Sequence, residues 1–426
     1  MQGRCQGLNN HDLYVSLDIG TSKVRVIIGE VNNGSINIIG VGTAESQGIK
    51  KGAIVDIDQT VLAIREAADQ AERMVDVSIK DVFVGISGNH IELVMSHGVV
   101  AVSSENKEIG EEDKRRVIDA AKVISIPPEK EIIDVVPIEY TIDGLSGVSD
   151  PFGMIGIRLE MEGTIITGSK TIIHNLYRCV EKAGLRIAGF YLQSLAASDI
   201  ALSKDEKNLG VVLVDMGAGS TSITIFEQGT LAAISTIPIG GDYITSDIAY
   251  ALRTTTEEAK RLQVKHGCAL ISDASPNEMI KVKRIGSNAD MECTQLDLAH
   301  VIEPRIAEIM GLVEEEVCNM GYDSEIPAGY VLTGGVAGMP GVVELAREDL
   351  QVPVRVAMPD YIGVRDPSFT IGVGLIKYAS KHAHSRTQMV EKEKVHIPVK
   401  AAKKPPKGKD KDGMIDKMKN WFSEFI

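Results

Sequence analysis

Two stretches of this 426-residue chain repeat one short plan. An apolar strand ends in an Asp, a Gly follows two positions later, and a second strand starts within a few residues. The first copy is Leu13 to Asp18, then Ile19-Gly20-Thr21-Ser22-Lys23, then a strand from Val24 to Glu30. The second is Leu209 to Asp215, then Met216-Gly217-Ala218-Gly219-Ser220, then a strand from Thr221 to Phe226. The two Asp residues lie 197 positions apart (215 − 18). A repeat of that length is a duplicated domain, because solenoid units recur every 20–50 residues or so.

Each copy continues into a third strand across a hairpin signal. Asn32-Asn33-Gly34 precedes Ile36 to Val41, and Gln228-Gly229 precedes Leu231 to Ile237. A helix from about Asp58 to Met74 gathers Val61, Ile64, Ala67, Ala68, Ala71 and Met74 on one face, and Asp81 to Ser87 reads as a strand. After Gly240-Gly241 the pattern gives helices near Tyr243–Leu252 and Thr255–Lys265, then a long helix from Leu296 to Met320. The strand Tyr330 to Thr333 runs into Gly334-Gly335-Val336, and another strand spans Val352–Val356. Phe369 to Ala379 closes the folded part, with Gly372 and Gly374 small enough for tight packing.

Charge separates the end of the chain from the rest. There are 59 acidic against 45 basic residues, a net −14. That balance opposes nucleic-acid binding over the whole surface, and 18 aromatic residues are few for a base-stacking platform. From 391 to 426, however, ten Lys face six acids, and six Lys with no acid lie between Lys394 and Lys409. His382 to Asp412, with Pro398, Pro405 and Pro406, reads as a linker. The five Cys are scattered without a CxxC, which fits a reducing compartment. Cys268 and Cys293 near His266 and His300 match no zinc spacing. Met1 to Asn10 has no apolar signal core, and no stretch reaches the ~20 apolar residues of a membrane span. The expectation is a cytosolic protein unless something anchors it.

An anchor is legible at residues 413–426. Met414, Ile415, Met418, Trp421, Phe422, Phe425 and Ile426 recur at helical spacing. Fourteen residues reach ~21 Å, short of the ~30 Å hydrocarbon core, so this helix lies in an interface and cannot span it. Lys411, Lys417 and Lys419 among the polar positions suit an anionic membrane surface. The other reading is a helix docked on the protein's own core, from which a linker of about 30 residues separates it.

No GxxxxGK[ST] motif is present, and Gly217-Ala218-Gly219 is followed by a strand instead of the helix of a dinucleotide fold. The paired loops instead suggest a two-sided phosphate clamp. Glycines there permit φ > 0 and let backbone N–H groups approach an anion. Thr21, Ser22, Ser220 and Thr221 add hydroxyls, and Lys23 adds a charge. Asp18 and Asp215 would hold a Mg²⁺ ion through its waters. One such loop alone is commonly just a hairpin; two matched loops and Thr333-Gly334-Gly335 together favour the clamp.

In this order, two phosphate loops, a connecting helix and a TGG loop resemble the superfamily of actin, heat-shock chaperones and sugar kinases. More narrowly, residues 12–380 and the tail resemble the FtsA family of bacterial cell-division proteins. The most specific segments are 17–24, Ser246 to Ala251, Lys265 to Ala269, Val301 to Arg305 and Val331 to Gly335. The resemblance implies an α/β fold of duplicated actin-like (ribonuclease H-like) domains flanking an ATP cleft, with an inserted α+β subdomain and a C-terminal amphipathic helix. Subdomain 1A would comprise 12–87, 165–205 and 360–381, and the insert, 1C, would span 88–164. Subdomain 2A would comprise 206–240 and 304–359, and 2B would span 241–303. Within the insert the pattern gives strands near Ile91–Val102, Ile132–Tyr140 and Ile155–Gly163, and a helix Glu111–Ile124.

The same resemblance assigns ATP to Asp18, Gly20, Thr21, Ser22 and Lys23 on one side and to Asp215, Gly217, Gly219, Ser220 and Thr221 on the other. Gly334, Gly335 and Val336 would meet the adenosine, with Glu257 and Lys260 reaching the purine and ribose. Gln193, at a strand-to-helix junction, would orient the attacking water. A Gln is a poor general base, so hydrolysis would be slow. The implied partners are the C-terminal peptide of FtsZ, further copies of the chain in a polymer, and other divisome proteins. The implied place is the cytoplasmic side of the cell membrane at the division site. Arg305 is a candidate anchor for a peptide carboxylate, an internal ion pair being the alternative. A pilus-assembly scaffold of the PilM type and a small-metabolite kinase are the competing functions.

Overall fold

The computed structural model describes residues 13–393 apart from 33, 287–289 and 323–325. Those up to Ala383 belong to one compact unit. The basic linker from 394 onward and the amphipathic segment 413–426 lie outside the described residues.

The chain opens with an antiparallel meander, β1 (Leu13–Ile19), β2 (Lys23–Asn32) and β3 (Ser35–Glu45). A short hairpin, β4 (Ile49–Lys50) and β5 (Ala53–Ile54), leads into α1 (Ile57–Val75), and β6 (Asp81–Ile86) returns parallel to β1. Asp56 caps α1 by accepting the Gln59 N–H at 3.0 Å, and Asp76 ends it in the left-handed region at φ 54°. The helix buries Ala63, Ala67, Ala68 and Ala71 because it lies almost on the backbone of β3. A Cβ on Gly42 would run into the Ala67 carbonyl.

An insert follows: β7 (Glu92–Ala101), α2 (Glu111–Ala121), β8 (Lys130–Ile142), β9 (Leu145–Val148) and β10 (Arg158–Ser169). Its sheet, ordered β7-β10-β8-β9, has its own core around Val117, Leu159, Met161 and Ile165. The last strand starts at Arg158, later than its apolar pattern suggests, because the Asp143 carboxylate accepts the N–H groups of Ile157 and Arg158 and pins that approach as a loop. The chain then completes the first half with α3 (Lys170–Lys182), β11 (Arg186–Leu192), α4 (Gln193–Ala201) and α5 (Lys204–Leu209). Leu209 thus ends a helix capped by Ser203, and the strand expected from 209 starts at Val211.

The second half repeats the meander as β12 (Val211–Met216), β13 (Thr221–Glu227) and β14 (Thr230–Ile237). Then come α6 (Gly241–Leu252), α7 (Thr256–His266), the hairpin β15 (Met279–Lys283) and β16 (Asp290–Thr294), and the 25-residue α8 (Gln295–Asn319). β17 (Tyr330–Thr333), α9 (Val342–Leu350), β18 (Val354–Val356) and α10 (Thr370–Glu393) finish the chain order. The sheets read β11-β6-β1-β2-β3 and β14-β13-β12-β17-β18. Each is a meander with two parallel strands added beside its first strand, so the duplication read from the Asp-x-Gly repeat is a duplication of topology.

The halves are joined by more than the chain. Thr333, at the end of β17, bonds Pro367 O at 3.1 Å and Thr370 Oγ1 at 2.8 Å at the head of α10. α10 then crosses to the first half and buries Val373, Leu375 and Ile376 in its core. Arg355 of β18 donates to Ala201 O at 2.6 Å and pairs with Glu206. α10 continues to Glu393, so the linker expected from His382 does not begin there. Residues 382–393 hold no Pro or Gly, and the first Pro of the basic stretch is Pro398.

Gly372 and Gly374 make the crossing possible. A Cβ on Gly372 would lie 2.6 Å from Ile27 Cδ1, and one on Gly374 would enter the Ala196 carbonyl oxygen. Replacing Gly374 by Val is expected to push α10 off α4 and lower the apparent melting temperature by several degrees, in line with the ~1–3 kcal/mol of core overpacking. A thermal scan that leaves the Gly374→Val melting point unchanged would show that this crossing is not close-packed.

Candidate functional site

The two repeated loops share one bonding pattern. The Gly20 N–H donates to Lys23 O at 3.0 Å, and the Gly217 N–H donates to Ser220 O at 3.0 Å. A Cβ on either glycine would sit 2.9 Å from that same acceptor. Gly20, Gly217 and Gly219 do not have positive φ. They are glycines for closeness, which corrects the expectation of left-handed turns at these positions. A Cβ on Gly219 would meet Thr21 Oγ1 at 2.7 Å, so the second loop rests directly on the first. The floor of the cleft between the halves is therefore one loop laid closely on the other.

At that floor two carboxylates face each other. Asp18 is 5% exposed and lies opposite Arg25 in the β1–β2 register, with Arg25 Nη1 at 3.8 Å from its Oδ2. Gln193, the first residue of α4, donates through Nε2 to Asp18 Oδ1 at 3.1 Å. A Cβ on Gly85 would lie 2.7 Å from Gln193 Cγ, so β6 leaves just the room this side chain takes. Burial raises the Asp18 carboxyl above the usual range, with Arg25 pulling it back. Burial and then the charge of Asp18 push Asp215 up to about 7, against the opposing pull of Arg25. The guanidinium of Arg25, stacked 5.1 Å from the Phe369 ring, does not neutralise both acids. A cation between them would. Among the described residues no group of three or more His, Cys, Asp or Glu is arranged to hold a metal, so a cation here would keep much of its water shell.

The walls surround a cavity of about 430 Å³. Asp18, Gly20, Thr21, Ser22, Lys23, Gln193, Asp215, Gly217, Gly219, Ser220, Lys260, Gly334, Gly335 and Val336 all line it, which brings together most of the residues chosen from the sequence. Lys260 of α7 reaches across and bonds Ser22 Oγ. Gly334 has φ +89°, and a Cβ there would strike Asp215 Oδ1 at 2.5 Å. Gly335 faces open space, its nearest such neighbour being Ser368 Cβ at 3.9 Å.

Two choices fall outside the wall. Thr221 is fully buried and spends its hydroxyl on Ile239 O at 2.8 Å, because as the first residue of β13 it points away from the loop. Glu257 is exposed in the first turn of α7, one turn short of the part that borders the cleft. Residues the motifs did not suggest take part instead. Gln263, 8% exposed, accepts from Thr245 Oγ1 at 2.5 Å in the α6–α7 wall. His90 lines the opposite side, its imidazole held below its ordinary pKa by burial. Ser222 also lines it. Arg25 was readable in principle, since the hairpin register places it across from Asp18. A polar Gln on the inner side of a helix is a weaker signal.

Arg305 lies elsewhere, on α8. Its guanidinium is bidentate with Asp247 of α6, at 2.6 and 3.1 Å, also pairs with Glu308, and stacks 5.8 Å from the Tyr243 ring. The internal ion pair is thus the arrangement present.

Residues 212–374 match the family model described as cell division protein FtsA, and residues 88–167 match the one described as the SHS2 domain inserted in FtsA. The cell division protein FtsA of Bacillus subtilis (strain 168) is 54% identical over 376 residues, 88% of this chain and 85% of that protein. That of Pseudomonas aeruginosa is 42% identical over 372 residues, 86% of this chain and 89% of that protein. Among solved structures, the PilM–PilN type IV pilus biogenesis complex aligns with TM-score 0.59 at 15% identity, covering 85% of this chain and 97% of that one. MreB5 of Spiroplasma citri bound to ADP aligns with TM-score 0.53 at 13% identity, covering 88% and 98%. At such identities the two structures establish the shared actin-like fold alone.

The facing acids have a pH signature. Asp215 has a folded value of about 7, against an unfolded one of about 3.9. The folded state then binds more protons than the unfolded state between those values, so stability of the ligand-free protein falls as pH rises from about 4 to about 7. Asp18, also raised, adds in the same direction. Asp215→Asn is expected to flatten that slope in thermal scans across this range. An unchanged slope would mean that burial and Asp18 do not hold the Asp215 carboxyl above its ordinary value.

Proposed function

The chain belongs to the FtsA family of cell-division proteins, and from that premise we propose that it binds ATP with Mg²⁺ in the cleft, polymerises on the cytoplasmic face of the membrane at the division site, tethers the FtsZ ring there and helps recruit later divisome proteins. The observation that carries the nucleotide part is the pair of glycine loops resting on each other with Asp18 and Asp215 facing across them. Thr21, Ser22, Lys23, Gly219 and Ser220 offer N–H, hydroxyl and ammonium donors to a polyphosphate, while the Gly20 and Gly217 N–H groups hold the loops themselves closed. Asp18 and Asp215 would hold Mg²⁺ through its waters, and that ion would supply charge neutralisation to the phosphates. The open face of Gly335, beside Val336, leaves room for a flat nucleoside. The fold neighbour MreB5 was solved with ADP, which is in keeping with this use of the cleft.

Binding would act on the latch between halves. Lys260 now spends its ammonium on Ser22, and a phosphate arriving there offers it a stronger, charge-assisted partner. Gln193 can align a water but not deprotonate it, so turnover would be slow and the nucleotide would serve assembly more than chemistry.

The membrane part rests on residues 413–426. Met414, Ile415, Met418, Trp421, Phe422, Phe425 and Ile426 form an apolar stripe with Lys417 and Lys419 beside it, behind a basic linker. Among the described residues no helix is long and apolar enough to cross a membrane. Many tails on one polymer would bind far more tightly than one. The FtsZ peptide is placed on subdomain 2B, residues 241–303, and on α8, which carries Arg305. A peptide carboxylate at Arg305 would have to displace Asp247.

Two experiments test this reading. Calorimetry should give tight Mg·ATP binding that is lost in Asp215→Ala and in Gly335→Val; wild-type affinity in both would sink the clamp. Trp421 is the only Trp, so its emission reports the tail directly. Anionic vesicles should shift that emission to the blue, and Trp421→Glu should leave the protein in the supernatant of a liposome sedimentation with ATP binding intact. Emission already blue without lipid, and indifferent to vesicles, would mean the tail docks on its own protein.

A further inference from the structure

A second cavity lies beneath the cleft, on the seam between the halves. Its volume is about 10 Å³, room for the centre of one water molecule. Leu192, Ser194 and Ala197 border it from the first half, and Leu213, Thr224 and Ile234 from the second. The last three are one rung of the second sheet, since Thr224 pairs with Leu213 on one side and Ile234 on the other. Gln193, Asp215 and Ser222 belong to the walls of both this cavity and the cleft above it.

Two hydroxyls in this wall, Ser194 Oγ and Thr224 Oγ1, are buried and have no hydrogen-bond partner among the described residues. Thr224 is 1% exposed. Folded proteins rarely leave such groups unmatched, and where no protein atom serves, an ordered water with two to four polar partners commonly does. Here the two unmatched hydroxyls come from opposite halves and meet at a space of the right size. We propose that this cavity holds one structural water that bridges Ser194 of α4 to Thr224 of β13, directly behind Gln193 and Asp215.

Such a water is a compliant joint. A direct hydroxyl–hydroxyl bond would fix one spacing across the seam, whereas a bridging water tolerates small changes in it as the halves shift. Ser194 is the chain neighbour of Gln193, whose amide donates to Asp18 at 3.1 Å, so the joint lies next to the floor of the cleft.

The sign of a mutational effect separates a bridged pair from two unmatched hydroxyls. Hydrogen exchange is measured by mass spectrometry on the ligand-free full chain, for Ser194→Ala, Thr224→Val and the double variant. If a water bridges them, each single change takes one partner from that water and breaks the bridge, and protection of the α4 and β13 amides falls about fivefold, the scale of one hydrogen bond. Because either single change already breaks the bridge, the double variant falls no further than the singles. If the hydroxyls are simply unmatched, each near-isosteric replacement removes an unfavourable buried group, and protection holds or rises in both singles and in the double; that result overturns the proposal. Should a variant fail to fold, the wild-type protein still decides. A crystal structure near 2 Å resolution is expected to show a solvent peak within hydrogen-bond distance of both oxygens, and a well-ordered seam without one overturns the assignment.

Discussion

Everything at the centre of this protein depends on two backbone loops being allowed to touch. Gly219 sits on Thr21, Gly20 and Gly217 each close onto a carbonyl oxygen three residues on, and Gly334 sits against Asp215. A single methyl group at any of these positions would meet an atom at 2.5–2.9 Å, well inside van der Waals contact. The halves can therefore approach until the two loops close the floor of one cleft. With ordinary residues there, the same two sheets would sit apart and the cleft would lose its floor.

That closeness has an electrostatic consequence. Bringing the loops together also brings Asp18 and Asp215 together, each at the end of the first strand of its sheet. Arg25 is the cation beside them, and it does not hold both carboxyls down. The ligand-free cleft is thus biased toward taking a proton or a cation at neutral pH. Lys260, reaching over from α7 to Ser22, ties the outer rim while the acids oppose each other at the base. The Lys260–Ser22 contact at the rim and the opposed acids at the floor line the same cavity.

Much of this was legible in the sequence. The Asp-x-Gly repeat marked the duplication, since the same physical demand (a glycine where a carbonyl folds back) writes itself twice. Apolar spacing located α1, α8 and β17 to within about a residue. Gly372 and Gly374 were recognisable as packing glycines, although only the fold reveals that Ile27 and Ala196 are what they pack against. Local signals misled where one stretch carried two of them. Thr221 belongs to a phosphate-loop pattern by position, but strand alternation turned it inward to Ile239. Residues 382–393 are polar like the linker that follows but free of Pro and Gly, and α10 keeps them.

By itself, the sequence determined the duplicated α/β plan, the paired glycine loops and the charged tail, because these rest on periodicity, glycine and charge, which are local properties. Tertiary structure alone decided which groups share a space. The opposition of Asp18 to Asp215, the grip of Gln193 on Asp18, the place of Gln263 and His90 in the wall, and the internal pairing of Arg305 with Asp247 join residues 18 to 197 positions apart in the chain, or more than one element apart in the fold. Pattern along a chain carries no information about such distances until the two sheets have packed and the glycines have let them close.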